Sequence, residues 1–211
     1  MKSKSLFITF EGGEGSGKST HANLLKDYLE NKGFEVLLLR EPGGTQTGEK
    51  LREILLNDKS KISPLTELFL FLASRRELVT RVIEPALKES KIVICDRFMD
   101  STTAYQGYGR RIDIELVLKL NELVVDGTSP NLTFILDTDK PLGFKLEGND
   151  RIEVEDSSFH EKVKKGYLEI ARKNPKRVKL IKVDGKIAEI QEKIREIVEE
   201  YLIKIQKSKC S

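Results

Sequence analysis

Apolar residues fall along this chain in two alternating rhythms. Short, nearly uninterrupted apolar runs at Leu6–Phe10, Val36–Leu39, Ile92–Cys95, Thr133–Leu136 and Val178–Val183 have the character of strands covered on both faces, as in parallel sheets. Between and after them apolar positions recur every three or four residues, near His21–Lys32, Glu49–Leu56, Leu65–Glu89, Ile114–Val125, Phe159–Lys173 and Ile187–Ile205, which is the period of helices with one packed face. This alternation predicts βαβ units with right-handed crossovers. In the last helix Ile187, Ile190, Ile194, Ile197, Val198, Tyr201 and Ile205 share one face, which predicts a packed side. The pattern holds no repeat and breaks once, over the glycine- and charge-rich stretch Gly143–Asp156, which predicts a short lid. The expectation is an α/β three-layer sandwich: a five-stranded parallel sheet flanked by helices, with residues 1–211 as one domain and the lid at about 143–156.

A hydrophobic fraction of 38% supplies a sizeable core for 211 residues. Lysine and arginine number 37 against 34 acidic residues, a net charge of +3; so even a balance argues against a dedicated nucleic-acid surface and points to small anions as partners. Cys95 and Cys210 supply neither a disulfide framework nor a metal cluster, so a reducing compartment, the cytoplasm, is expected. No apolar run reaches the ~20 residues that span a bilayer. Met1-Lys2-Ser3-Lys4-Ser5 leads into the first strand without a signal segment, so neither a membrane nor a targeting role is predicted.

Chemistry enters directly after the first strand. Gly12-Gly13-Glu14-Gly15-Ser16-Gly17-Lys18-Ser19 completes the pattern G-x-x-x-x-G-K-[ST] between a strand and a helix. Glycines let successive backbone N–H groups curl around an anion and deliver it to the positive end of the helix. Lys18 then reaches β- and γ-phosphates, and the Ser19 hydroxyl is placed to ligate a bridging magnesium ion. Open α/β sheets bind ligands beyond the carboxyl ends of their strands, where this chain carries Arg40-Glu41-Pro42-Gly43-Gly44-Thr45 and Asp96-Arg97-Phe98-Met99-Asp100-Ser101. Each pairs an arginine with a carboxylate, the combination that grips a phosphate and organises a metal or hydroxyl nearby. Glu14 puts a negative charge into a cradle for anions, a costly placement unless its carboxylate turns away and accepts hydrogen bonds from something else. A sugar hydroxyl of a second substrate is the simplest donor.

With these residues in view the chain resembles the thymidylate kinases of the bacterial kind from first strand to last helix. The stretch Ile94-Cys95-Asp96-Arg97-Phe98-Met99-Asp100-Ser101-Thr102-Thr103-Ala104-Tyr105-Gln106 is specific to them, and Glu11-Gly12-Gly13-Glu14, the Arg40–Thr45 turn and Asp150-Arg151-Ile152-Glu153 agree in order. The resemblance implies a P-loop kinase fold and transfer of the ATP γ-phosphate to dTMP, giving ADP and dTDP, by a magnesium-dependent homodimer. It makes Arg97 the clamp on the acceptor phosphate, Asp96 a partner of the magnesium shell and Glu41 a substrate contact. Phe71 would stack on the thymine ring, with Arg75, four residues on, donating to a base carbonyl. Thr102 and Gln106 become base-edge contacts, and Tyr105 the ring that leaves no room for a 2′-hydroxyl. Glu14 would hold the 3′-hydroxyl. Bacterial members without an arginine in the phosphate loop supply several from the lid, whereas here the lid offers only Lys145 and Arg151. Of the two, Arg151 is the better arginine finger, because a guanidinium is bidentate and an ammonium is not.

Two rivals remain open at this stage. A kinase for another nucleoside monophosphate shares the loop and the acceptor arginine. A nucleotide-dependent switch would need a guanine-reading N-K-x-D, but Asn31-Lys32 is followed by Gly33-Phe34.

Overall fold

The five apolar runs pair into one sheet. A computed structural model describes residues 5–57, 61–138 and 150–207, in which every strand pairing is parallel and the strand order is β2-β3-β1-β4-β5. The strands are β1 Leu6–Gly12, β2 Val36–Arg40, β3 Ile92–Asp96, β4 Leu132–Asp137 and β5 Val178–Lys182. The helices are α1 Lys18–Asn31, α2 Gln46–Leu56, α3 Pro64–Leu78, α4 Glu84–Lys88, α5 Met99–Thr102, α6 Ile114–Val125, α7 Ser157–Lys173 and α8 Ile187–Lys207. Because β1 lies in the centre and the chain leaves it first toward one edge and later toward the other, the crevice above β1 is the switch point where such sheets bind ligands.

Side-chain parity along β1 separates the two faces of the sheet. Leu6, Ile8 and Phe10 join Leu132, Phe134 and Leu136 in a core closed by Leu25 and Leu29 of α1 and Ile190, Ile194 and Val198 of α8. Phe7 faces the other way, into a core of Leu78, Val79, Ile83, Val93, Phe98 and Val125. Three layers result, as the sequence predicts. The edge strands depart from the expectation of strands buried on both faces. β2 is half-buried, and β5 buries Val178 and Ile181 but exposes Leu180 and Lys182, since an edge strand meets a neighbour on one side only. On α8, Ile187 leaves the packed stripe; it is 50% exposed.

The single helix predicted over Leu65–Glu89 is interrupted. Ser63 caps α3 from ahead of Pro64, and after Leu78 the chain widens into a π-helical turn, Val79–Ile83, before α4. Pro85 explains the interruption: it has no N–H to donate four residues back, and its ring crowds that carbonyl. The stretch after β3, read from sequence as a strand-end motif, folds as α5 and a second π segment, Thr103–Gly109. This pairing of a short helix with a wide one turns Thr102, Tyr105 and Gln106 toward the crevice.

Candidate active site

The phosphate loop is shaped by glycines at positive φ: Gly12, Gly15 and Gly17. Gly17, at φ 85°, immediately precedes α1, and Gly12, at φ 135°, passes so near β4 that a Cβ there would lie 2.5 Å from the Leu136 carbonyl oxygen. The loop curls over its own lysine: Lys18 Nζ donates to the Gly13 carbonyl at 2.7 Å. Burial, and then the charge of Arg97, push the Lys18 ammonium down to about 8, an environment that a bound polyanion would reverse. The Ser16 hydroxyl is buried in the same loop without a hydrogen-bond partner, and buried hydroxyls are rarely left so. At the start of α1 the Ser19 hydroxyl donates to Asp96 Oδ2 at the tip of β3. Hydroxyl and carboxylate are hard oxygen donors on adjacent elements, and they fit a magnesium ion that keeps most of its waters and takes the remaining oxygens from a nucleotide. Among the described residues there is no cluster of three or more His, Cys, Asp or Glu that suits a metal.

Across the loop stands Arg97, whose φ of 70° is unusual outside glycine. Its guanidinium donates to Glu14 Oε1, to the Gly12 carbonyl at 3.1 Å and to Ser101 Oγ at 3.3 Å, and lies 5.1 Å over the Tyr105 ring. Glu14 therefore does turn away from the anion cradle. Its carboxylate also accepts from the Tyr105 hydroxyl at 3.0 Å. Burial alone would raise its carboxyl, but Arg97, Lys18 and Tyr105 together hold it below the usual value.

The far wall is built from α3 and the turn after β2. Arg75, 1% exposed, donates through Nε to Glu41 Oε2 at 2.8 Å and through Nη1 to Asn121 Oδ1 at 2.8 Å. Burial pushes the Glu41 carboxyl up against the pull of Arg75, and Glu41 Oε1 is buried without a partner. Phe71 is half-buried and presents its ring to the crevice. Gln106 Nε2 donates to Glu67 at 2.8 Å. One crevice of about 500 Å³ is lined by Glu14, Lys18, Ser19, Glu41, Phe71, Arg75, Asp96, Arg97, Thr102, Tyr105 and Gln106, so nearly all the sequence-selected side chains meet.

The exceptions are the two basic residues assigned to the lid. Lys145 lies outside the described residues. Arg151 is not brought to the crevice: Nη1 pairs with Glu67 at 2.6 Å, Nε donates to the Leu55 carbonyl at 3.2 Å, and Nη2 is buried without a partner. Glu67, on α3, is remote in sequence and could not be read from spacing. Also unanticipated are Arg52, Asp150, Ser101 and Glu153 in the crevice wall, and Glu11 and Tyr167 beneath Arg97. Glu11 had a signal: a carboxylate closing an apolar strand, on the face of Phe7 rather than that of Phe10.

A parallel sheet with a glycine-cradled lysine above its central strand, a hydroxyl–carboxylate pair for a cation and an arginine facing them across one crevice define a P-loop nucleotide kinase. The thymidylate kinase description is matched over residues 10–194. A thymidylate kinase of Kosmotoga olearia is 47% identical over 96% of this chain and 98% of its own length, and one of Thermoanaerobacter sp. is 42% identical over 96% and 100%. The crystal structure of thymidylate kinase from Ehrlichia chaffeensis superposes with a TM-score of 0.80 at 40% identity, covering 92% of this chain and 99% of that one. The chain belongs to the thymidylate kinase family.

Proposed function

We propose a division of labour among these residues for the family's reaction, in which this chain transfers the γ-phosphoryl group of ATP to dTMP, giving ADP and dTDP on the way to dTTP. The phosphate loop, Gly12 to Ser19, holds the ATP phosphates, with Lys18 stabilising the γ-phosphoryl charge. Ser19 and Asp96 hold magnesium, which when bound neutralises charge on the phosphate oxygens. Arg97 clamps the 5′-phosphate of dTMP and aligns its oxygen with the donor. Phe71 stacks on thymine, while Arg75, Thr102 and Gln106 meet the base edge. Arg75 is suited to this, because Glu41 and Asn121 fix its plane while a guanidinium carries five N–H donors. Glu41 supports it from below. Tyr105 and Glu14 border the sugar, Glu14 accepting from the 3′-hydroxyl. Arg151 and Lys145 remain the candidates for charge stabilisation from the lid over 143–156; for Arg151 this requires release from Glu67.

The observation that carries the assignment is the placement of Arg97 opposite Lys18 and the Ser19–Asp96 pair in one crevice. It follows that Arg97→Ala raises KM for dTMP by about tenfold to a hundredfold, the worth of charge-assisted hydrogen bonds, and changes KM for ATP much less. Steady-state kinetics with each substrate varied in turn measure this; equal effects on both would refute the clamp.

Residues 1–211 are read as one kinase domain that works as a homodimer in the cytoplasm. Exposed apolar side chains on neighbouring helices α3 and α6 support the dimer, and buried Cys95, a free thiol, suits a reducing compartment. No helix among the described residues is long and apolar enough to cross a membrane.

A further inference from the structure

We propose that Glu11 is a positioning residue that fixes Arg97 from beneath, through the backbone and through the guanidinium at once. The inference rests on the reading of Arg97 as the dTMP clamp. Glu11 is fully buried at the end of β1, on the face that Phe7 and Thr9 share. One carboxylate oxygen, Oε1, accepts from the Phe98 N–H at 2.8 Å. That peptide directly follows Arg97, so the bond pins the left-handed turn at the residue whose φ most needs support. The other oxygen, Oε2, accepts from the Ser101 hydroxyl at 2.5 Å and from the Tyr167 hydroxyl at 3.3 Å. Ser101 Oγ, committed as a donor to Glu11, turns its lone pairs to Arg97 Nη1 at 3.3 Å and lies 2.8 Å from Tyr167 Oη. One buried carboxylate thus sets both ends of the arginine.

Burying a carboxylate is costly. Burial, with Asp100 nearby, pushes the Glu11 carboxyl up to about 8, and neither Phe98 nor Ser101 needs an ionisable partner for folding alone. A neutral amide, whose oxygen would still accept from the Phe98 N–H, would satisfy a purely structural role at lower cost. The geometry repays the cost through Arg97: a clamp that is already aimed loses less side-chain entropy when the phosphate arrives.

The test is a double-mutant cycle read in Michaelis constants. Glu11→Gln keeps the shape but replaces the acceptor Oε2 by a donor, which severs the path through Ser101. KM for dTMP is expected to rise about tenfold, the worth of a hydrogen bond to a charged group, with KM for ATP within about twofold. In the Arg97→Ala background the same change is expected to do nothing further, because the residue it acts through is gone. Equal rises in both constants, or the same factor in both backgrounds, would overturn the proposal. If Arg97→Ala by itself leaves KM for dTMP unchanged, the clamp reading fails and this one with it; if Arg97→Ala raises it and Glu11→Gln does not, only this one fails. Should Glu11→Gln not fold, Ser101→Ala decides: a rise confined to dTMP supports the relay, and no change overturns it.

Discussion

At the scale of single residues, Tyr105 shows how one side chain serves both the core and the crevice. Its ring packs against Phe159 and Tyr167, with centroids 6.1 Å and 6.2 Å away, it is 5% exposed, and its hydroxyl reaches Glu14 at 3.0 Å. If the ring, not the hydroxyl, excludes a 2′-hydroxyl, the two truncations separate. Tyr105→Phe keeps the deoxy preference, whereas Tyr105→Ala relaxes it at a stability cost of about 3–5 kcal/mol for the cavity. Relative kcat/KM for dTMP and its ribose analogue, with urea unfolding of each variant, measures both effects; a relaxed preference in Tyr105→Phe would move the gate to the hydroxyl. The loop glycines, Lys18, Ser19, Asp96 and Arg97 were legible in sequence because strand, loop and helix follow one another along the chain. Glu14 was legible as an oddity, and its partners were not: Arg97 lies 83 residues away and Tyr105 91 residues away. Pairings of that range are set by the packing of whole elements.

At the scale of elements, Glu67 joins pieces that the pattern left separate. Its carboxylate, 1% exposed, receives Gln106 and Arg110 from the second π segment and the residue after it, and Arg151 from beyond 143–149. Arg110 extends the network to Glu155 at 2.5 Å. Burial alone would raise the Glu67 carboxyl; hydrogen bonds from Arg110 and Gln106 hold it below its ordinary value. Removing it takes from buried Arg151 its carboxylate partner and leaves Arg110 with Glu155 alone, so Glu67→Ala is expected to cost about 3–5 kcal/mol and to weaken dTMP binding through Gln106. Urea unfolding checks the first and calorimetric titration with dTMP the second; a loss well under 1 kcal/mol would mean that solvent already screens the cluster. The strands and most helices follow from periodicity, but this junction does not. Glu67 sits in the run Leu65-Thr66-Glu67-Leu68, where a carboxylate reads as a solvated face of a helix.

At the scale of the whole molecule, the surface still carries apolar area that packing has not used. On α3, Leu65 is 46% and Phe69 51% exposed; on α6, Leu116 is 41% and Leu123 72% exposed. The two helices pack on each other through Leu68, Leu72 and Val117. Along α3 the spacing of four, and along α6 the spacing of seven, set each exposed pair in one stripe beside that contact. A patch assembled from two adjacent helices suits an isologous pairing, in which the same stripes meet across a two-fold axis. Each apolar side chain buried there contributes about 25 cal/mol per Å², while a charge placed in the centre has no partner to meet it. The wild-type chain is therefore expected to sediment as two copies at micromolar concentration, and Leu123→Arg as one. Because Leu123 is already largely exposed, the substitution leaves the fold of each copy intact, and loss of the partner shows as a thermal midpoint that no longer depends on protein concentration. A wild-type chain that sediments as single copies, or a Leu123→Arg variant that stays paired, would remove this face from the dimer.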